Sequence, residues 1–133
     1  MRNEMLTHLQ SALKNSGISV SLELPWSSGS QPLYRKNMKH LYLDEENTEQ
    51  EVLIQTLNPT SDIVQETRTV EAYLAIDAKN SPSNIDTIIS TIVAAKDIDT
   101  ILSVGTRRCN ITTELDSDVI IYNFTYNTTA TKT

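Results

Sequence analysis

Cys109, preceded by Arg107 and Arg108, is the only thiol in the sequence and the first candidate for chemistry. Adjacent guanidinium groups lower a thiol pKa and so raise its reactivity. The phase of its neighbours argues the other way. Cys109, Ile111, Thr113 and Leu115 share one face of an alternating run, which makes the thiol a buried structural side chain. Asp116 and Asp118 are a carboxylate pair able to move protons, yet they flank Ser117 as turn residues do. Asp44-Glu45-Glu46 offers hard oxygen ligands but lacks the alternating spacing and the glycine of a calcium loop, and is read as a solvated turn. His8 and His40 are distant in sequence from one another and from the cysteine, so no zinc-ligand spacing arises. Gly17, Gly29 and Gly105 each stand alone, and no glycine run exists to cradle a phosphate. No catalytic, cofactor-binding or metal-binding residue is assigned.

The elements that would position such groups are legible from periodicity. Val70, Ala72, Leu74, Ile76 and Ala78 alternate with Glu71, Tyr73, Ala75 and Asp77, the period of a half-buried strand. Lys79 to Ser83 breaks it, with Asn80 or Ser81 as helix cap and Pro82 in the first turn. Ile85, Ile88, Ile89, Ile92 and Val93 then form one helical stripe through to Lys96. Sheet face and helix stripe are both apolar and should pack on each other.

Ahead of this pair, Met5, Leu6, Leu9 and Leu13 predict a helix over Asn3–Ser16, stopped by Gly17. Ile18 to Leu24 alternates as a strand. Pro25 to Asn37 has no periodicity and carries the only Trp (Trp26); its length fits either a flexible arm that orders against a partner or a mobile connection whose Trp packs at the sheet edge. A short strand over Met38–Leu43, the acidic turn, and a strand over Glu49–Leu57 follow. In the latter, Val52 and Ile54 stand opposite Leu53 and Leu57, which predicts cover on both faces. After a turn at Asn58–Asp62 the strand from Ile63 to Ala78 is unusually long, and its early half, Val64–Thr69, is a candidate contact edge. Beyond the second helix an extra turn is expected within Asp97–Val104. Arg107–Asp116 and Val119–Tyr126 then make a hairpin. The expectation is an α+β domain over residues 1–127, ordered α-β-β-β-β-α-β-β: a mainly antiparallel sheet with two main helices packed on one face. The small polar end of the chain, residues 128–133, is expected to be a flexible tail fraying from Asn127.

At 133 residues one domain suffices, and a lone cysteine forms no internal disulfide. No apolar run approaches the ~18 residues of a membrane span, and with no leader pattern the chain reads as cytosolic. The sequons at Asn110, Asn123 and Asn127 are read as coincidence in a Thr-rich chain. Charge is uneven: residues 1–43 hold five basic and two acidic side chains, the remainder six and fifteen, so the net −6 divides into +3 and −9. Such acidity disfavours a grip on nucleic-acid phosphates. A solvated surface is the simpler reading of the asymmetry, and like subunits meeting head to tail is the other.

Missing chemistry leaves an interaction role. The candidate contact residues are Trp26, Arg35, Lys36 and Lys39 around the first loop, and Asp44, Glu45, Glu46 and Glu49 around the second. Glu66 and Arg68 on the long strand complete the set. The layout carries a family likeness in its opening amphipathic helix, in Met38-Lys39-His40-Leu41-Tyr42-Leu43, and in Arg68-Thr69-Val70-Glu71-Ala72-Tyr73-Leu74-Ala75-Ile76. The helix from Asn80 to Lys96 and the aromatic last strand Asp118 to Tyr126 complete it. Over residues 3–127 this resembles the tail-terminator proteins of long-tailed bacteriophages. The resemblance implies a homo-oligomeric ring, usually a hexamer, at the head-proximal end of the tail, assembled in the host cytoplasm. Its partners would be the tail-tube protein and the head connector, with DNA passing through the lumen unbound and no membrane or cofactor involved. Other neck or head-completion adaptors share the layout. A small hydrolase using Cys109 or the Asp116/Asp118 pair is the weaker alternative.

Overall fold

A strand alternating as Val70–Ile76 does must bury one face, and the rest of the fold is arranged around that need. The computed structural model describes residues 1–22, 37–55, 57, 62–98, 105–116 and 118–132. Within them, α1 (Arg2–Ala12) is followed by β1 (Ser19–Ser21), β2 (Lys39–Leu43), β3 (Asn47–Ile54) and β4 (Ile63–Asp77). Next come α2 (Ile85–Ala94), β5 (Thr106–Asp116) and β6 (Val119–Lys132). The six strands form one sheet in the order β1-β2-β4-β6-β5, with β3 also on β4. Val70, Ala72, Leu74 and Ile76 are buried with Met5 and Leu9 of α1, Leu13 just after it, and Ile88 and Ile92 of α2, so both helices cover one face. Phe124 and Tyr126 of β6 enter the same core. The Tyr126 hydroxyl donates to the Ile92 carbonyl, tying sheet to helix. The opposite face holds a smaller cluster of Met38, Ala75, Val119 and Ile121, flanked by Tyr42 and Tyr73, whose rings stack with centroids 6.1 Å apart.

The sheet is mixed, not wholly antiparallel: β1 pairs with β2 in parallel, Val20 opposite Leu41. Parallel neighbours need a long return, and the 17 residues between Ser21 and Lys39 are of the order such crossovers take (about a dozen or more). The length of the 25–37 segment is thus a requirement of topology. Residues 25–36 of it, including Trp26, Arg35 and Lys36, lie outside the described residues.

The acidic stretch Asp44–Glu46 is not a turn. β2 and β3 both run antiparallel to β4, along the edge opposite β6. Leu43 faces Ala72 and Asn47 faces Thr69, so four steps on one side match three on the other. That is a β-bulge with one extra residue. The Asp44 N–H still donates to the Glu71 carbonyl at 2.8 Å. The bulge shifts the phase, so that odd residues face the helices in β2 and even ones in β3.

Other boundaries also move. Asn84, not Asn80 or Ser81, precedes α2, and Pro82 stands before the helix. The stop after β4 belongs to Asp77, whose buried carboxylate accepts from the Lys79 N–H (3.0 Å), the Asn80 amide (3.0 Å) and the Asn37 N–H (2.8 Å). α1 ends at Ala12, and a single 3-10 turn carries the chain to Gly17, at φ 71. Residues 127–132 do not fray: they continue β6, pairing from Asn127↔Thr69 to Lys132↔Val64. Composition marked them as a tail, but β4 pairs with them throughout and β5 with Asn127–Thr129, and a paired backbone is bonded whatever its side chains. The extra turn expected within Asp97–Val104 falls mostly outside the described residues.

Candidate functional site

β4 is longer than the body of the domain. Its second half, Ala72–Ile76, lies under the helices between β2 and β6. Its first half, Ile63–Thr69, instead carries β3 on one edge and the end of β6 on the other, with the start of β5 outside that. The result is a four-stranded arm in the order β3-β4-β6-β5.

All eight residues of β3 are exposed, Val52, Leu53 and Ile54 by 48–54%. The expectation of cover on both faces is therefore overturned: the helices sit over the other half of β4, and no helix among the described residues covers this strand. Leu57 is fully exposed as well. β5 behaves similarly. Cys109 is half-buried against the core, whereas Ile111 and Leu115, in phase with it, are 41% and 69% exposed. The outward edges of β3 and β5 have no strand partner among the described residues. An exposed edge with apolar side chains is a ready template for pairing with another chain.

The acidic residues of the bulge are engaged separately. Asp44 accepts from the Glu45 N–H at 2.8 Å and the Tyr42 hydroxyl at 3.1 Å, while Glu46 faces the Met1 amine at 3.7 Å. Among the described residues no three His, Cys, Asp or Glu side chains come together as a metal site would need. Lys39 is half-buried on β2, and Glu49 is exposed on β3. Glu66 and Arg68 point to the helix side of the arm, where no helix among the described residues reaches. Arg68 Nε donates to Glu66 at 2.8 Å and Gln50 Nε2 to its other oxygen at 3.0 Å, so Glu66 is buried by its own partners. These two hold the arm together rather than standing free.

Burial pushes the Cys109 thiol up to about 11, only partly opposed by the charge of Lys96, so it stays protonated and weakly nucleophilic. Arg107 and Arg108 therefore do not activate it. Asp118 lies 3.7 Å from Lys79 Nζ, and His40 Nε2 is 2.8 Å from Ser21 Oγ. Burial likewise raises Tyr73 and Tyr42, whose hydroxyls donate to Glu71 and Asp44.

Comparison with models of known protein families and with curated proteins finds no match. What the chain offers a partner is therefore read from its own surface. The sequence reading missed the β3 and β5 edges as a pair. The signal available was Val52-Leu53-Ile54, three consecutive apolar residues in an otherwise polar strand, which buried alternation does not require.

Proposed function

We propose that the chain is a structural subunit that acts by contact, forming a homo-oligomeric ring at the head-proximal end of a phage tail tube. One face of the ring binds the last tube ring and stops polymerisation; the other docks the head connector. The observation that carries this reading is the arm itself, a sheet extended beyond its helices with apolar residues left exposed at the β3 edge. The order α-β-β-β-β-α-β-β is that of the tail-terminator layout. The −9 charge over residues 44–133 suits a lumen through which DNA slides without adhering. Mass measurement in solution, alone and with tail-tube protein, tests the proposal. A ring, or capped tubes of fixed length, is expected. A strict monomer that leaves tube growth unchanged refutes it.

A further inference from the structure

We infer that copies of this chain join through their arms, the β3 edge of one pairing antiparallel with the β5 edge of the next, so that one sheet runs on from subunit to subunit. The inference rests on the self-assembly proposed above and specifies its interface.

Three observations converge on a second copy as the occupant. The first is polarity. Every neighbouring pair in β3-β4-β6-β5 is antiparallel, so β3 and β5, three steps apart, run in opposite directions. A second copy in the same orientation therefore continues the ladder with no strand reversed. The second is place: the two edges lie on opposite sides of one arm, and neither has a strand partner among the described residues.

The third is charge. Glu49 and Glu51 stand opposite Thr67 and Gln65 of β4, on the face away from the helices. Arg108 stands opposite Asn127, itself opposite Thr69, and so lies on that same face. All three are exposed, and among the described residues none has an ion pair. Setting Glu51 against Arg108 brings Glu49 to Asn110 and Asn47 to Thr112, and on the other face Thr48 to Ile111. Glu114 then falls beyond the end of β3. Opposite charges facing across strands stabilise the pair, and like charges oppose it. Pairing β3 with β3 of another copy sets Glu49 and Glu51 against each other, so the acidic strand selects a different edge. Joining unlike edges is a head-to-tail contact, which closes into a ring when the rotation per copy permits. Backbone hydrogen bonds supply the attachment, as in other strand additions.

The test uses the full chain with Cys109→Ser. Glu51→Cys combined with Arg108→Cys should, under mild oxidation at high protein concentration, give a covalent ladder of multimers on a non-reducing gel, whereas either cysteine alone should not. In the unlinked protein, Glu51→Arg or Arg108→Glu should each weaken association about fivefold per contact, and the two together should restore it. Thermal melts of each variant confirm that the fold is retained. Assembly that persists while the charge swaps are neutral and no ladder forms overturns this interface but leaves self-assembly standing. A cross-linked dimer from Ile111→Cys, with no ladder from the first pair, indicates two-fold β5 pairing and also overturns it. A monomer at every concentration overturns both proposals.

Discussion

Asp77 offers the sharpest test of how the domain is held together. Its carboxylate is buried and, among the described residues, accepts from N–H groups in two parts of the chain: Asn37, ahead of β2, and Lys79 and Asn80, after β4. Hydrogen bonds to a charged group are worth about 1.5–3 kcal/mol each. Asn37, Lys79 and Asn80 are exposed, so water can replace a lost acceptor and the low end of that range applies. Asp77→Ala should therefore cost about 4.5 kcal/mol, a large part of the 5–15 kcal/mol that holds a typical domain. Asp77→Asn can keep an oxygen where the Asn37 and Asn80 donors meet, but turns its NH2 toward the Lys79 N–H; about 1.5–2 kcal/mol should be lost. With a urea slope of about 1.5 kcal/mol/M, the midpoints should fall by about 3 M and about 1 M. An alanine variant within about 0.3 M of the parent, or an asparagine variant as damaged as the alanine one, would refute this accounting by donors.

The remaining predictions concern the glycines, alkaline stability and the end of the chain. Gly105 sits at φ 121, where an added Cβ would lie 2.1 Å from the Thr129 carbonyl oxygen, whereas Gly17 at φ 71 faces open space. In the same urea melts Gly105→Ala should cost about 3 kcal/mol or more from strain plus clash, and Gly17→Ala about 1 kcal/mol from strain alone. Cys109 keeps its proton in the fold up to about 11, from an ordinary value of 9.0. An acid raised by folding favours the native state fully below its unfolded pKa and loses that contribution as pH climbs through the folded one, so stability should fall between about pH 9 and 11. Cys109→Ala should flatten the stability–pH curve between about pH 9 and 10 and lessen its slope above that, where Tyr126, Tyr73 and Tyr42, all raised by burial from an ordinary 10.0, also lose their contribution. Amide hydrogen exchange should find protected sites within Asn127–Lys132, where a frayed tail would exchange at once.

The sequence by itself determined the local elements and their order. Alternation marked Val70–Ile76, the five-residue stripe marked α2, and Gly17 marked a helix end, because burial on one face imposes its period on a few consecutive side chains. It also exposed the apolar run at Val52–Ile54, though read alone that run suggested cover on both faces. Only the tertiary structure decided what depends on pairing between distant segments. Asp44–Glu46 is a bulge and not a turn because β4 continues beneath it, and residues 127–132 are strand because β4 pairs with all of them and β5 with Asn127–Thr129. Cys109 lost the influence of its neighbouring arginines once burial governed its thiol. Backbone hydrogen bonding between strands is indifferent to side-chain type, and desolvation depends on what arrives from elsewhere in the chain. Neither leaves a periodic trace in the residues it acts on, so the arm and its two edges became visible only when the strands were set side by side.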